Sequence, residues 1–264
     1  MSEKLRIVYS VAPDAAALAQ RAAQYFAHKC AAAAALGRAR LAVSGGSTPK
    51  AAFALLADPA QPWRAQMSWD KLDLWWVDER CVPPEHPDSN YRMTREALLS
   101  KVPLEAGQIH RMEGELDPND AAARYEIELR NGFALKDTEL PTFDLLGLGM
   151  GPDGHTASLF PHTEALHETS RLVVANHVET VKDSWRVTLT QPVINHAADV
   201  FFLVGGEDKA QILKEVLLGP HDPERLPSQM ISPASGILTL LLDQAAAALL
   251  PARGESSMGT IERI

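Results

Sequence analysis

The sequence predicts a doubly wound α/β fold, with a mainly parallel sheet and helices on both faces. Three observations lead there. Strand-type and helix-type segments alternate along the chain. The strand-type segments show apolar runs of 4–6 residues rather than clean alternation, the pattern of strands buried on both faces. The length of 264 residues, with 46% hydrophobic and 22% charged residues, supports one large core and excludes wholesale disorder. In such folds ligands bind beyond the carboxyl ends of strands, so the residues that follow each strand carry the information.

Residues 5–11 (LRIVYSV) are short and β-branched, which predicts a first strand. Residues 13–36 are Ala-rich, with Leu18, Ala22, Tyr25, Phe26 and Lys29 in a helical stripe and Gly37 as the stop. Residues 41–44 (LAVS) predict a strand, and 49–56 a helix with Pro49 at its first position and Thr48 as its cap. Residues 72–77 (LDLWWV) predict a strand, and 90–99 and 119–135 predict helices. Residues 143–148 (FDLLGL) predict a strand that enters a Gly-rich turn. Further strands are expected at 172–176, 186–190 and 200–204, and further helices at 207–217 and 244–250. Residues 1–250 read as one α/β domain, and 251–264 as a mobile tail with little apolar periodicity.

Three strand ends carry chemistry. After 41–44 comes Gly45-Gly46-Ser47-Thr48-Pro49 and then a helix. Glycines let a ligand approach the backbone, and the free N–H groups and dipole of a helix start attract an anion. The loop lacks the Walker A spacing, and alone it reads equally as an ordinary tight turn. After 72–77 comes Asp78-Glu79-Arg80. Arg80 offers a planar fork suited to phosphate, although an isolated triplet of this kind reads first as a solvated ion pair. Cys81 beside it reads as a free structural thiol.

After 143–148 comes a turn with Gly149, Gly151, Asp153, Gly154 and His155. A neutral imidazole accepts a proton from water near pH 7, and a carboxylate such as Asp153 fixes its tautomer. The glycine spacing does not fit a dinucleotide fingerprint, Ser158 is not in a G-x-S-x-G elbow, and the nine His make no zinc spacing. Later strand ends add Arg186 and Lys209. Lys209 falls in the first turn of a helix, where a cation is disfavoured unless an anion is near.

Together these segments resemble the 6-phosphogluconolactonase family of the short α/β type. The resemblance runs from about residue 41 to about residue 250. Its carriers are Ser44-Gly45-Gly46-Ser47-Thr48-Pro49, Trp76 to Arg80 with His86-Pro87-Asp88-Ser89-Asn90-Tyr91, the stretch 147–161, Arg186 to Thr190, and Gly206-x-x-Lys209-Ala210. It implies a Rossmann-like, glucosamine-6-phosphate deaminase-like architecture. It also implies a cofactor-free enzyme that hydrolyses 6-phospho-D-glucono-1,5-lactone to 6-phosphogluconate in the oxidative pentose phosphate pathway. By the same resemblance, His155 is the general base, and the phosphate lies on Gly45, Gly46, Ser47 and Thr48 with Arg80, Arg186 and Lys209 around it. Asp78 is placed for the sugar end or for orienting neighbours.

The related glucosamine-6-phosphate deaminases carry a Glu five residues after the matching His, where this chain has Phe160, and Asp-Glu-Tyr where it has Asp78-Glu79-Arg80. A deaminase or isomerase therefore stands as the alternative enzyme. A non-catalytic sugar-phosphate sensor is a third reading. Such regulators usually join a DNA-reading domain, for which a first strand at Leu5 leaves no room.

Charge narrows the partners. With 25 Lys+Arg against 34 Asp+Glu, the net charge is −9. That disfavours nucleic acid and anionic membranes, which need a broad basic face. It does not disfavour one small phosphate, which needs only local positive potential. Two cysteines, Cys30 and Cys81, make neither a disulfide framework nor a metal site. The first residues contain no apolar stretch of signal-peptide length, so a cytoplasmic protein is expected, as a monomer or small homo-oligomer.

Overall fold

The computed structural model describes residues 5–182 and 184–264. The chain opens with β1 (Leu5–Ala12), α1 (Ala15–Leu36), β2 (Ala39–Val43), α2 (Ser47–Ala57), β3 (Leu72–Trp76) and β4 (Asp78–Arg80). It continues through α3 (Asn90–Ala97), β5 (Ile109–His110), α4 (Pro118–Gly132), β6 (Leu145–Leu148), β7 (Val173–His177) and β8 (Trp185–Leu189). It closes with α5 (Gln191–Asn195), β9 (Val200–Val204), α6 (Ala210–Leu218), β10 (Ile237–Asp243), β11 (Arg253–Glu255) and β12 (Gly259–Arg263).

One sheet has nine strands in the order β11-β12-β1-β10-β9-β6-β2-β3-β5, and only the β11–β12 pair is antiparallel. Both of its faces are covered, and alternate residues of one strand divide between the two cores. Leu41, Val43, Leu74 and Trp76 pack with Leu18, Phe26 and Phe53 of α1 and α2. Ala42, Trp75, Leu146 and Leu148 pack with Tyr125 and Leu129 of α4 and Leu213 and Val216 of α6. A strand with a helix layer on each side has no polar face, which is why these strands read as largely apolar runs. The doubly wound α/β fold expected from the sequence is the one observed.

The strand order contains a reversal. From β2 the chain proceeds outward to β3 and β5. It then returns to β6, on the other side of β2, and proceeds through β9 to β10. The crevice beyond the carboxyl ends of β2 and β6 is therefore the topological switch point, where open α/β sheets bind ligands.

Several expectations need correction. α2 starts at Ser47 with Gly46 as its cap residue, so Thr48 lies inside the first turn and does not cap it. Residues 78–80 form β4 rather than a loop, and β4, β8 and β7 make a separate antiparallel sheet in that order. The strands expected at 172–176 and 186–190 thus leave the main sheet. Residues 244–250 form turns instead of a helix, because the apolar run before them is the central strand β10. Residues 251–264, expected as a mobile tail, pair in parallel with β1 through β12, where Ile261 is buried. Glu262 and Arg263 leave the five residues of β12 without an apolar run to mark it in the sequence.

Among the described residues, no helix is long and apolar enough to cross a membrane.

Candidate active site

A polar cleft of about 140 Å³ opens at the switch point. Ser44 and Gly45 line it from the end of β2, Gly149, Met150, Gly151, His155 and Ala157 from the end of β6, and Asp78, Arg80 and Asn90 from β4 and α3. The Ser44 hydroxyl donates to the Gly147 carbonyl at 2.8 Å and ties the two strand ends together.

The turn after β6 is shaped around His155. Gly154 adopts φ +79°, and Ala157 adopts φ +49°, a strained value for a residue with a Cβ. The Gly151 N–H donates to the His155 carbonyl at 2.9 Å, and the Thr156 hydroxyl donates to Gly149 O at 2.9 Å. A Cβ on Gly151 would lie 2.1 Å from the imidazole, so only glycine lets the ring sit there. His155 Nδ1 is 2.5 Å from Asp153 Oδ1, and its ring stacks on Phe160 at a centroid distance of 3.9 Å. Burial pushes the Asp153 carboxyl up, but the His155 hydrogen bond and charge outweigh it and hold the group below its ordinary value. An ionised Asp153 accepts the proton of Nδ1, which leaves the Nε2 lone pair as the acceptor.

Residues 78–80 alternate as a strand must. Asp78 and Arg80 face the cleft, while Glu79 turns away into the first turn of α3. The Glu79 carboxylate accepts from the backbone N–H groups of Asn90 (2.7 Å), Tyr91 (2.8 Å) and Arg80 (2.8 Å), and from the Ser89 hydroxyl (3.1 Å). Burial nevertheless pushes its carboxyl up to about 7, against those hydrogen bonds and with help from the Asp78 charge. The sign follows. The folded value lies above the ordinary 4.5, so the contribution to stability is full below pH 4.5 and is lost as pH rises through about 7. Unfolding free energy of the native chain should therefore fall, relative to Glu79→Gln, across that window. Parallel pH profiles of denaturant unfolding for the two proteins would contradict this.

Not every expected residue lines the cleft. His155, Asp78, Arg80 and Gly45 do. Asp153 stands behind His155, on the far side of its ring nitrogen. Gly46 and Ser47 are exposed and Thr48 is half-buried at the start of α2, which has no side-chain cap. Arg186 is buried and donates to the Trp185 and Lys182 carbonyls at 3.0 and 3.1 Å. It lies directly opposite Arg80 in the β4–β8 register. Lys209 ends a short 3₁₀ turn just before α6, with Nζ 3.4 Å from Asp208 Oδ2. It follows β9, the strand beside β6.

Sequence reasoning missed Asn90 and Ser158. Asn90 Nδ2 donates to Asp78 O at 3.0 Å and to Asp78 Oδ1 at 3.3 Å, and the Ser158 hydroxyl donates to Asp78 Oδ2 at 2.7 Å. Asn90 stood in a segment singled out for its pattern, but no spacing ties it to Asp78. Among the described residues, no group of three or more His, Cys, Asp or Glu side chains could hold a metal ion.

Residues 13–240 match the model of the family described as glucosamine-6-phosphate isomerases/6-phosphogluconolactonase. A 6-phosphogluconolactonase of Synechocystis is 42% identical over 217 residues, covering 81% of this chain and 86% of the relative. One of Homo sapiens is 40% identical over 235 residues, covering 89% of each. The solved 6-phosphogluconolactonase of Trypanosoma brucei superposes with a TM-score of 0.78 at 28% identity, covering 94% of this chain and all of that one. A monomeric glucosamine-6-phosphate deaminase superposes with a TM-score of 0.73 at 19% identity, over 93% of this chain and 100% of that one, a likeness of fold alone.

Proposed function

Because the chain belongs to the glucosamine-6-phosphate isomerase/6-phosphogluconolactonase family, we propose that it hydrolyses 6-phospho-D-glucono-1,5-lactone to 6-phosphogluconate, a step of the pentose phosphate pathway, with His155 activating the water. The observation that carries this reading is the His155–Asp153 pair at 2.5 Å, at the mouth of a cleft whose other wall holds Asp78 and Arg80. Lactone hydrolysis asks for one base and for donors around the developing oxyanion. His155, held in the Nε2-acceptor tautomer by Asp153, takes a proton from water. The hydroxide adds to the C1 carbonyl. The C1–ring oxygen bond then breaks, and the ring oxygen takes the proton back from His155. The acid released ionises in water.

Asp78 and Arg80 divide the opposite wall by charge. The carboxylate suits sugar hydroxyls, and the guanidinium suits the phosphate. Arg186 is the residue opposite Arg80 in the β4–β8 register, so in this reading it adds a second guanidinium to the phosphate side. The start of α2 and Lys209, on the neighbouring strand ends, complete the phosphate side in this reading.

Phe160 weighs against a deaminase or isomerase. The position that carries a Glu in the related deaminases holds, stacked on His155, a hydrocarbon ring that neither gives nor takes a proton.

The phosphate assignment is tested with and without the phosphate. The phosphorylated lactone should be turned over with a kcat/KM about 10²-fold above that of the unphosphorylated lactone, the worth of one or two charge-assisted contacts. Lys209→Ala should mainly raise KM, as expected for lost uniform binding. Equal rates on the two lactones, or a loss in kcat alone for Lys209→Ala, would contradict phosphate anchoring.

A further inference from the structure

Asp78 is a buried carboxylate at the wall of the cleft, 6% exposed. Its oxygens are held by neutral donors, the Ser158 hydroxyl at 2.7 Å and the Asn90 amide at 3.3 Å, and the same amide also grips the Asp78 carbonyl at 3.0 Å. The two partners differ in how they are held in turn. Ser158 lies on the strained turn after Ala157, and its N–H donates to the Thr188 hydroxyl of β8 at 3.2 Å. Asn90 is the first residue of α3, and only 3% exposed.

The start of α3 is fixed from the strand that carries Asp78. Glu79 takes the N–H groups of Asn90 and Tyr91, and the Ser89 hydroxyl accepts from the Arg92 N–H at 3.1 Å. An acid at a helix N-terminus with two orphan donors to satisfy is a favourable cap. Its consequence here is geometric. Glu79 and Asp78 are adjacent, so one end of α3 is registered against the residue it must reach. The Asn90 amide is also wedged from the other side, since a Cβ on Gly45 would lie 1.8 Å from Asn90 Oδ1. Gly45, just after β2, and Asp78 and Glu79, on β4, thus confine that residue, with its NH₂ toward Asp78.

We propose that Asn90 is a positioning residue of the cleft: held by Glu79 and Gly45, its amide sets the Asp78 carboxylate in the orientation that receives the sugar end of the substrate. This rests on the hydrolase reading above and adds the residue that prepares Asp78. Asn90→Ala is the informative change. It keeps the backbone N–H that Glu79 accepts, so the start of α3 survives, and it removes only the amide.

The test has two readouts. In kinetics on the phosphorylated lactone, Asn90→Ala should lower kcat/KM by about 10–10²-fold, the usual cost of a misplaced group in the site. Asp78→Asn should cost at least as much, and the double variant should cost no more than Asp78→Asn alone, because the two act as one unit. Losses that multiply, or an Asn90→Ala enzyme with unchanged kcat/KM, would overturn the proposal. In a crystal structure of Asn90→Ala, the Asp78 carboxylate should rotate away from its present position while residues 91–97 keep theirs. An unmoved Asp78 would overturn the proposal by itself. Should the native chain fail to accelerate lactone hydrolysis, the hydrolase reading falls, and the crystal structure still decides whether Asn90 positions Asp78.

Discussion

His155→Ala is expected to lower kcat on the phosphorylated lactone by about 10²–10⁴-fold, the usual contribution of a positioned general base. KM should change little, because the imidazole is assigned to the water and not to the phosphate. The fold should survive. His155 packs on Phe160 and pairs with Asp153, but its side chain is partly exposed at the cleft mouth and carries no helix or strand. Removing Asp153 tests the same unit from behind. Asp153→Asn keeps the size of the side chain but lets an amide NH₂ face Nδ1, which favours the wrong tautomer. It should lower kcat in the same direction as His155→Ala. Near-normal turnover of His155→Ala, measured against the spontaneous rate, would remove the imidazole from the role of base.

Gly45→Ala should be nearly as damaging, for a steric reason. Gly45 is not among the glycines at positive φ, so its backbone accepts alanine. The obstacle is the side chain of Asn90, whose Oδ1 and Cγ would lie 1.8 and 2.4 Å from the new Cβ. Real Cβ atoms do not approach so closely, so the amide must leave. Asp78 loses a donor, and the wall of the cleft shifts. A loss in kcat/KM of about 10²-fold follows from a displacement of about 1 Å at a reacting site. Overpacking should cost about 1–3 kcal/mol of stability. Adding Asn90→Ala removes the obstacle, so the double variant should recover the stability without recovering the activity. A Gly45→Ala enzyme with native kinetics would show that the amide is free to move, and would count against its positioning role as well.

How much of this was legible in the chain depends on the range of each contact. The strands were readable because a sheet covered on both faces needs largely apolar runs, as 200–204 displays throughout and 72–77 displays but for Asp73. Their order was not readable, since nothing local in β6 says that it lies between β9 and β2. Strand β10 escaped because its run abuts an Ala-rich stretch that imitates a helix, and β12 because Glu262 and Arg263 leave its five residues without an apolar run.

The site divides in the same way. His155 and Asp153 are two positions apart on one turn, so their pairing could be anticipated from spacing. Asp78, Asn90 and Ser158 are brought together from three separate segments, with sequence separations of 12 and 80. No pattern in a single sequence reports such a contact. Glu79 was quoted as one acid of a triplet, and the alternation of a strand decides that it faces α3 while its neighbours face the cleft. Arg186 and Lys209 stand out in the sequence for their places beside later strands and in the family resemblance. Arg186 is on β8 in the small sheet and Lys209 follows β9 in the large one, and their action on a phosphate belongs to the proposal.

The central claim is that the crevice between β2 and β6 hydrolyses a phosphorylated sugar lactone. Its most direct test generates 6-phospho-D-glucono-1,5-lactone in situ and follows its disappearance against the spontaneous rate, with glucosamine 6-phosphate offered separately. The account predicts strong acceleration of lactone loss by the native chain, abolished in His155→Ala, and no turnover of the amino sugar. Lactone loss at the spontaneous rate in the presence of the native chain would contradict it.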